Sequence, residues 1–114
     1  MEDIKDALSI FSDGEILVAA LAGEIYHHAA RPIRERIDSE LYLSRPTELC
    51  LDFSKVRFMD SSAIALIIGR SELARSIGSR VRVTGLSSTQ KRLVRLSGVE
   101  RIEGIVIENT EVKK

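Results

Sequence analysis

Apolar positions along the chain change their spacing several times, and each change marks an element. Residues 7–11 are a short, mostly apolar run, and residues 16–22 are apolar almost without interruption. Ser12, Asp13 and Gly14 stand between them, and Asp-Gly between two such runs predicts a hairpin turn. The second run reads as a strand covered on both faces, closed by Gly23 and Glu24. From Ala29 to Tyr42 the spacing becomes helical, with Ile33, Ile37 and Leu41 in one stripe. Arg34 with Asp38, and Arg36 with Glu40, set opposite charges one turn apart on the wet side. Pro32 suits a first turn, so it places the helix start beside it.

Leu49 to Phe53 is apolar except for Asp52 and predicts a central strand, with residues 54–57 as a connection. Phe58 and Met59 lead into Asp60, Ser61 and Ser62, and residues 63–77 form a long helical pattern. Its first half is apolar on nearly all sides, which predicts burial of Ile64, Leu66, Ile67 and Ile68. Its second half carries Arg70, Glu72 and Arg75, with Leu73 and Ile77 inward and Gly78 as the cap. Val81 and Val83 alternate with Arg80, Arg82 and Thr84, a strand with one wet face near a sheet edge. Ser87 and Gln90 make a capping box for a helix ending near Leu96, with Leu93 and Leu96 inward. Residues 105–107 are a last strand, and the polar tail after them is expected to fray.

Strands separated by helices imply parallel neighbours joined by right-handed crossovers. The expected architecture is α/β: one domain over residues 1–114, built on a small, mixed, mostly parallel five-stranded sheet with helices and a leading β-hairpin.

Composition removes several functions. Lys plus Arg is 17 and Asp plus Glu is 17, so no net charge drives the chain to nucleic acid or to a membrane. Aromatics are 4% with no Trp, too few for a base-stacking platform. One cysteine, Cys50, excludes an intrachain disulfide, and its apolar strand reads as a buried position. His27 and His28 are the only histidines and lack a third ligand nearby, so no metal is expected. No Gly-rich phosphate loop is present, and no cofactor is expected. The serines lack the G-x-S-x-G elbow of a hydrolase, so no enzyme is expected either. The acidic start has no long apolar stretch, which predicts no signal peptide and a cytoplasmic protein.

Chemistry concentrates in LDFSKVRFMDSSAIALIIG. Asp60 is placed to cap the helix, and Ser61 and Ser62 fall in its first turn. In the plainest reading this is capping polarity. The same geometry suits a modified serine, because unpaired amides and the helix dipole tolerate an anion there. A phosphoserine adds about 1.5 to 2 negative charges. Beside apolar Phe58 and Met59, that charge would abolish docking of a close-packed partner. Asp60 is a like charge and is expected to turn such a phosphate outward.

Three blocks now carry a likeness: LAGEI with His27 and His28 after it, LDFSKVRFMDSS with its helix to Gly69, and KRLVRLSG from Lys91 to Gly98. In sequence and spacing they resemble the STAS fold family, and within it the anti-sigma factor antagonists of bacteria. The FMDSS block is the most specific part. The resemblance implies that Ser62 is phosphorylated by the cognate anti-sigma factor, an ATP-dependent serine/threonine kinase. The unphosphorylated form then binds that factor and frees the sigma factor, the phosphorylated form does not, and a metal-dependent serine phosphatase restores it. The implied partner surface is Gly23, Glu24, Tyr26, His27, Phe58, Met59, Asp60, Ser61, Ser62 and Ala63. A monomer is implied when free. Ala63 stands where the family usually has Gly, which would put a methyl at the docking surface, and Tyr26 stands where it often has Asp. The tail after Ile107 is shorter than the family's final helix. The alternative is a STAS-fold scaffold or accessory subunit of another regulatory or transport complex.

Overall fold

The computed structural model describes residues 6–108. Strands β1 (Leu8–Asp13) and β2 (Ile16–Ile25) form an antiparallel hairpin in which Asp13 pairs with Ile16. The turn is therefore Gly14–Glu15, one residue later than the Asp-Gly signal suggested. Gly14 takes φ +67°, a left-handed conformation that glycine enters without a Cβ penalty. Helix α1 (His27–Ser44) leads to β3 (Glu48–Met59), α2 (Ser61–Ser76), β4 (Arg80–Thr84), α3 (Ser88–Ser97), a short 3-10 turn (Val99–Arg101) and β5 (Ile105–Ile107). The sheet runs in sequence order, with β2 to β5 mutually parallel.

One face of the sheet carries the core. Leu17, Ala19 and Leu21 of β2, Leu49, Leu51 and Phe53 of β3, and Val81 and Val83 of β4 join Ile33, Ile37 and Leu41 of α1 and Ala63, Ile67 and Ala74 of α2 in a continuous buried cluster. The other face is open. Phe11, Val18, Cys50, Arg82 and Val106 are register partners in a row across it, and Phe11 and Val106 are exposed at its two ends. The expectation that β2 is covered on both faces is thus corrected: Ile16, Val18, Ala20 and Ala22 are only half-buried. The side chain of Arg82 spans this face, bonded to Glu48 and Glu108. Glu108 also donates its amide to Val83, so the first residue of the polar tail is tied down rather than frayed. The remaining tail positions, 109–114, lie outside the described residues.

Two boundaries differ in ways that shape the site. β2 does not close at Gly23 but continues to Ile25, and β3 is one strand of 12 residues without a connection at 54–57. Pairing of β3 with β4 ends at Asp52 and Thr84, whereas pairing with β2 continues to Met59 and Ile25. A two-stranded ribbon therefore rises beyond the sheet. Register shifts between Ala20 and Ala22 and between Gly23 and Glu24 let it bend, as bulges do. α1 starts at His27, so Pro32 lies past the first turn, inside the helix. There it removes one ladder bond, at a cost of about 3 kcal/mol. Burial of Ile33, Ile37 and Leu41 holds the helix together across it.

α3 has the expected capping box of Ser87 and Gln90 and a left-handed Gly98 at its end. Its inward face is not the expected one. Val94 and Gln90 are buried, Leu93 is half-buried, and Leu96 is 80% exposed. Gln90 is turned inward because its amide donates to the carbonyl of Val56.

Candidate functional site

The parallel ends of β2 and β3 bring two helix starts together. Ile25 pairs with Met59, and the amide of Asp60 donates to the carbonyl of Ile25 at 3.2 Å. One residue later each strand has become a helix, α1 at His27 and α2 at Ser61. Both present their positive ends at the carboxyl edge of the sheet, the customary place for a site in an open α/β fold. Tyr26 caps α1 through its backbone alone, its carbonyl accepting from Ala29 and Ala30. Asp60 caps α2 with its side chain, Oδ1 accepting from the amide of Ser62 at 2.8 Å.

The structure gathers nine of the ten sequence-expected positions here. Gly23 and Glu24 lie on the rising end of β2, Tyr26 and His27 at the start of α1, and Phe58 and Met59 on the end of β3. Asp60, Ser61 and Ser62 turn into α2. Phe58 is 58% exposed and Tyr26 41%, so large apolar groups stand in water at the strand ends that lead into α1 and α2. Glu24 faces Arg57 at 3.6 Å, a surface pair of little energetic weight. Ser61 is exposed and Ser62 half-buried. Ala63 is the exception. It has no exposed surface and belongs to the core, because the third residue of α2 already points at the sheet. Its methyl group therefore lies beneath the surface and not on a docking face.

Two depressions flank the start of α2, and sequence reasoning did not find either. Between α1 and α2 lies a cavity of about 450 Å³ whose lining includes His27, Arg31, Arg34, Arg70 and Ser62. Arg70 is 5% exposed, and Asp38 holds it with Nε–Oδ1 at 2.6 Å and Nη2–Oδ2 at 3.2 Å. Burial pushes its guanidinium pKa down, and Asp38 opposes that shift. On the other side, Ile64, Ala65, Ile68, Leu93 and Leu96 line a shallow apolar groove that begins at Ser61. The signal for this groove was the apolar run of α2, which exceeds what the core consumes. Ala65 is exposed and Ile68 only half-buried, so the helix is not wrapped on all sides.

The match to the STAS domain model covers residues 8–113. The chain belongs to the STAS domain family. It is 28% identical over 105 residues to the anti-sigma F factor antagonist of Lysinibacillus sphaericus, an alignment spanning 81% of this chain and 90% of that protein. The solved structure of the anti-sigma factor antagonist SpoIIAA in its unphosphorylated form superposes with a TM-score of 0.70 at 25% identity, over 90% of this chain and 87% of that one. The Bacillus cell fate determinant SpoIIAA in its phosphorylated form also gives 0.70, at 26% identity, over 92% and 94%. Among the described residues no cluster of His, Cys, Asp and Glu has the make-up of a metal site. No helix among them is long and apolar enough to cross a membrane.

Proposed function

We propose that the protein is an anti-sigma factor antagonist switched by phosphorylation of Ser62. The observation that carries this reading is the setting of Ser62. It lies in the first turn of a helix anchored by Ala63 and Ile67, with its amide held by Asp60. A hydroxyl at a rigid helix start, with exposed apolar residues on the strand ends that lead into it, suits a docking face that one charge can close. Similarity to antagonists of an anti-sigma F factor gives the partner class. In this reading the unphosphorylated chain docks on an anti-sigma factor that is also an ATP-dependent serine/threonine kinase, and so frees the sigma factor. The kinase transfers the terminal phosphoryl group of ATP to Ser62 Oγ, which gives up its proton, and ADP leaves. A metal-dependent serine phosphatase removes the phosphate. The antagonist is a monomer when free and needs no nucleic acid or membrane.

The test is incubation with the co-encoded anti-sigma kinase, ATP and Mg²⁺, with the modified residue located by mass spectrometry. Label on Ser62 is expected, Ser62→Ala should bind the kinase constitutively, and Ser62→Asp should bind poorly. Label confined to Ser61, or equal binding by both variants, would remove Ser62 as the switch.

A further inference from the structure

We propose that a phosphate on Ser62 is held in the cleft between α1 and α2 by the guanidinium of Arg34, with Arg31 and His27 at the rim, instead of standing free in water. The inference rests on the reading of Ser62 as the modified residue. Three observations carry it.

Ser62 itself lines the cleft, so a group added to its Oγ starts at the cleft wall. The cavity, about 450 Å³, takes a phosphoryl group without displacing core side chains. Its lining carries three arginines and a histidine, and no carboxylate.

The three arginines are not equivalent. Arg70 is committed to Asp38 through two hydrogen bonds. Arg31 meets Glu35 at 3.2 Å, but both side chains are well exposed, and such a pair is weak. Arg34 would be expected to pair with Asp38 one turn on. Arg70 has taken that carboxylate, which leaves Arg34 exposed and without an ion-pair partner among the described residues. A planar guanidinium with free donors is the group that binds a phosphate through two parallel hydrogen bonds.

The opposing charge is Asp60. Its Oδ1 already accepts the Ser62 amide, which spends part of its field on the cap. Against Asp60, and the Glu35 that meets Arg31 at the surface, stand Arg34, Arg31 and the positive starts of two helices. The attractive side is larger, so the dianion turns inward and not outward. Phosphorylation then changes two surfaces at once. It adds charge beside Phe58 and Tyr26, and it draws the α1 arginines across the space a partner would enter.

The experiment uses the full chain with phosphoserine inserted at position 62 during translation, so that no kinase is needed. Phosphorus NMR gives the second ionisation of the phosphate. Bound in the cleft, it should titrate about one pH unit below the ordinary value near 6. Arg34→Gln should move it back up, and the Nε proton of Arg34 should exchange slowly only in the phosphorylated protein. Arg34 is exposed, so this variant keeps the fold, and Arg70 is left intact. A titration at or above the ordinary value that Arg34→Gln leaves unchanged, with Arg34 Nε exchanging as fast as before, would overturn the proposal. That result would leave the switch reading intact. Conversely, a kinase assay that labels another residue would end the switch reading while the cleft measurement still stood.

Discussion

Arg70 of α2 clamps Asp38 of α1 through two parallel hydrogen bonds, 2.6 Å and 3.2 Å long. It also donates to the carbonyl of Leu66 on its own helix at 3.4 Å. The arginine side chain is 6% exposed and the aspartate 28%, so the pair is half in water on one side only. It fixes the distance between the two helices whose starts make the site. It also decides which α1 arginine is left free.

Removing either partner should therefore have unequal effects. Asp38→Asn leaves a buried guanidinium without its counter-charge and should cost about 2 to 4 kcal/mol, discounted from a fully buried pair for the exposure of Asp38. Arg70→Met removes the charge and keeps an apolar stem, and the remaining carboxylate can hydrate, so it should cost less. Urea unfolding of both variants checks the order. A milder Asp38→Asn would mean that the clamp adds nothing to helix packing.

Gly85 supports the β3 bend from the next connection. A Cβ there would lie 2.5 Å from the Ser54 amide nitrogen and 2.9 Å from its Cα, and the residue has φ +81°. The same Ser54 amide donates to Asp52 Oδ1 at 2.9 Å. Gly85→Ala should lose about 2 to 5 kcal/mol, from left-handed strain together with overpacking. Gly14→Ala has φ +67° but open space around it, so it should lose only the strain, about 1 to 2 kcal/mol. Denaturant midpoints that match for the two variants would show that the contact at Ser54 relaxes freely.

Ile33, Ile37 and Leu41, the Val81 and Val83 alternation and the Ser87–Gln90 box were legible because each depends on local periodicity or capping alone. The one-residue slip at Gly14 and the run of β3 through residues 54–57 were not, because register and bulges are fixed by the partner strand. At the site, Asp60 and the serines announced themselves through cap chemistry. Ala63 was misplaced because helical phase, and not proximity to the serines, decides which side faces the sheet. Arg34 was paired with Asp38 by spacing, but a buried arginine 32 positions downstream competes for the same carboxylate. No window along the sequence shows that competition.

Cys50 should behave as an inert thiol. It is 5% exposed, and burial pushes its pKa up, with Arg82 opposing. The native state therefore holds the proton to higher pH than the unfolded chain, whose thiol ionises near 8.5. The resulting contribution to stability is complete below that pH and is lost as pH rises through the native value, by at most about 1.4 kcal/mol per pH unit. Disulfide-exchange reagents at pH 8 should label Cys50 slowly in the folded protein and quickly in urea. Equal rates would place the thiol at the surface.

The apolar groove beside Ser61 separates stability from binding. Ile67 has no exposed surface, and Ile67→Ala should cost about 2 to 5 kcal/mol. Ile68 is half-buried and should cost clearly less than Ile67. Leu96 is 80% exposed on the groove, and Leu96→Ser should change stability by less than about 0.5 kcal/mol. If the anti-sigma factor covers the groove when it docks around Ser62, the same substitution removes a buried apolar contact from the complex. Affinity should then fall about tenfold, equal to about 1.4 kcal/mol. Phe58→Ala, at the end of β3 just before the serines, should weaken binding as well, since it too is exposed in the free protein. Calorimetric titration of the kinase with each variant reads both effects, and unfolding curves confirm that the fold is unchanged. Loss with Phe58→Ala but none with Leu96→Ser would leave the groove outside the interface. Loss with both would show that one partner spans the start of α2, so a single phosphate at its centre is enough to break the contact on either side.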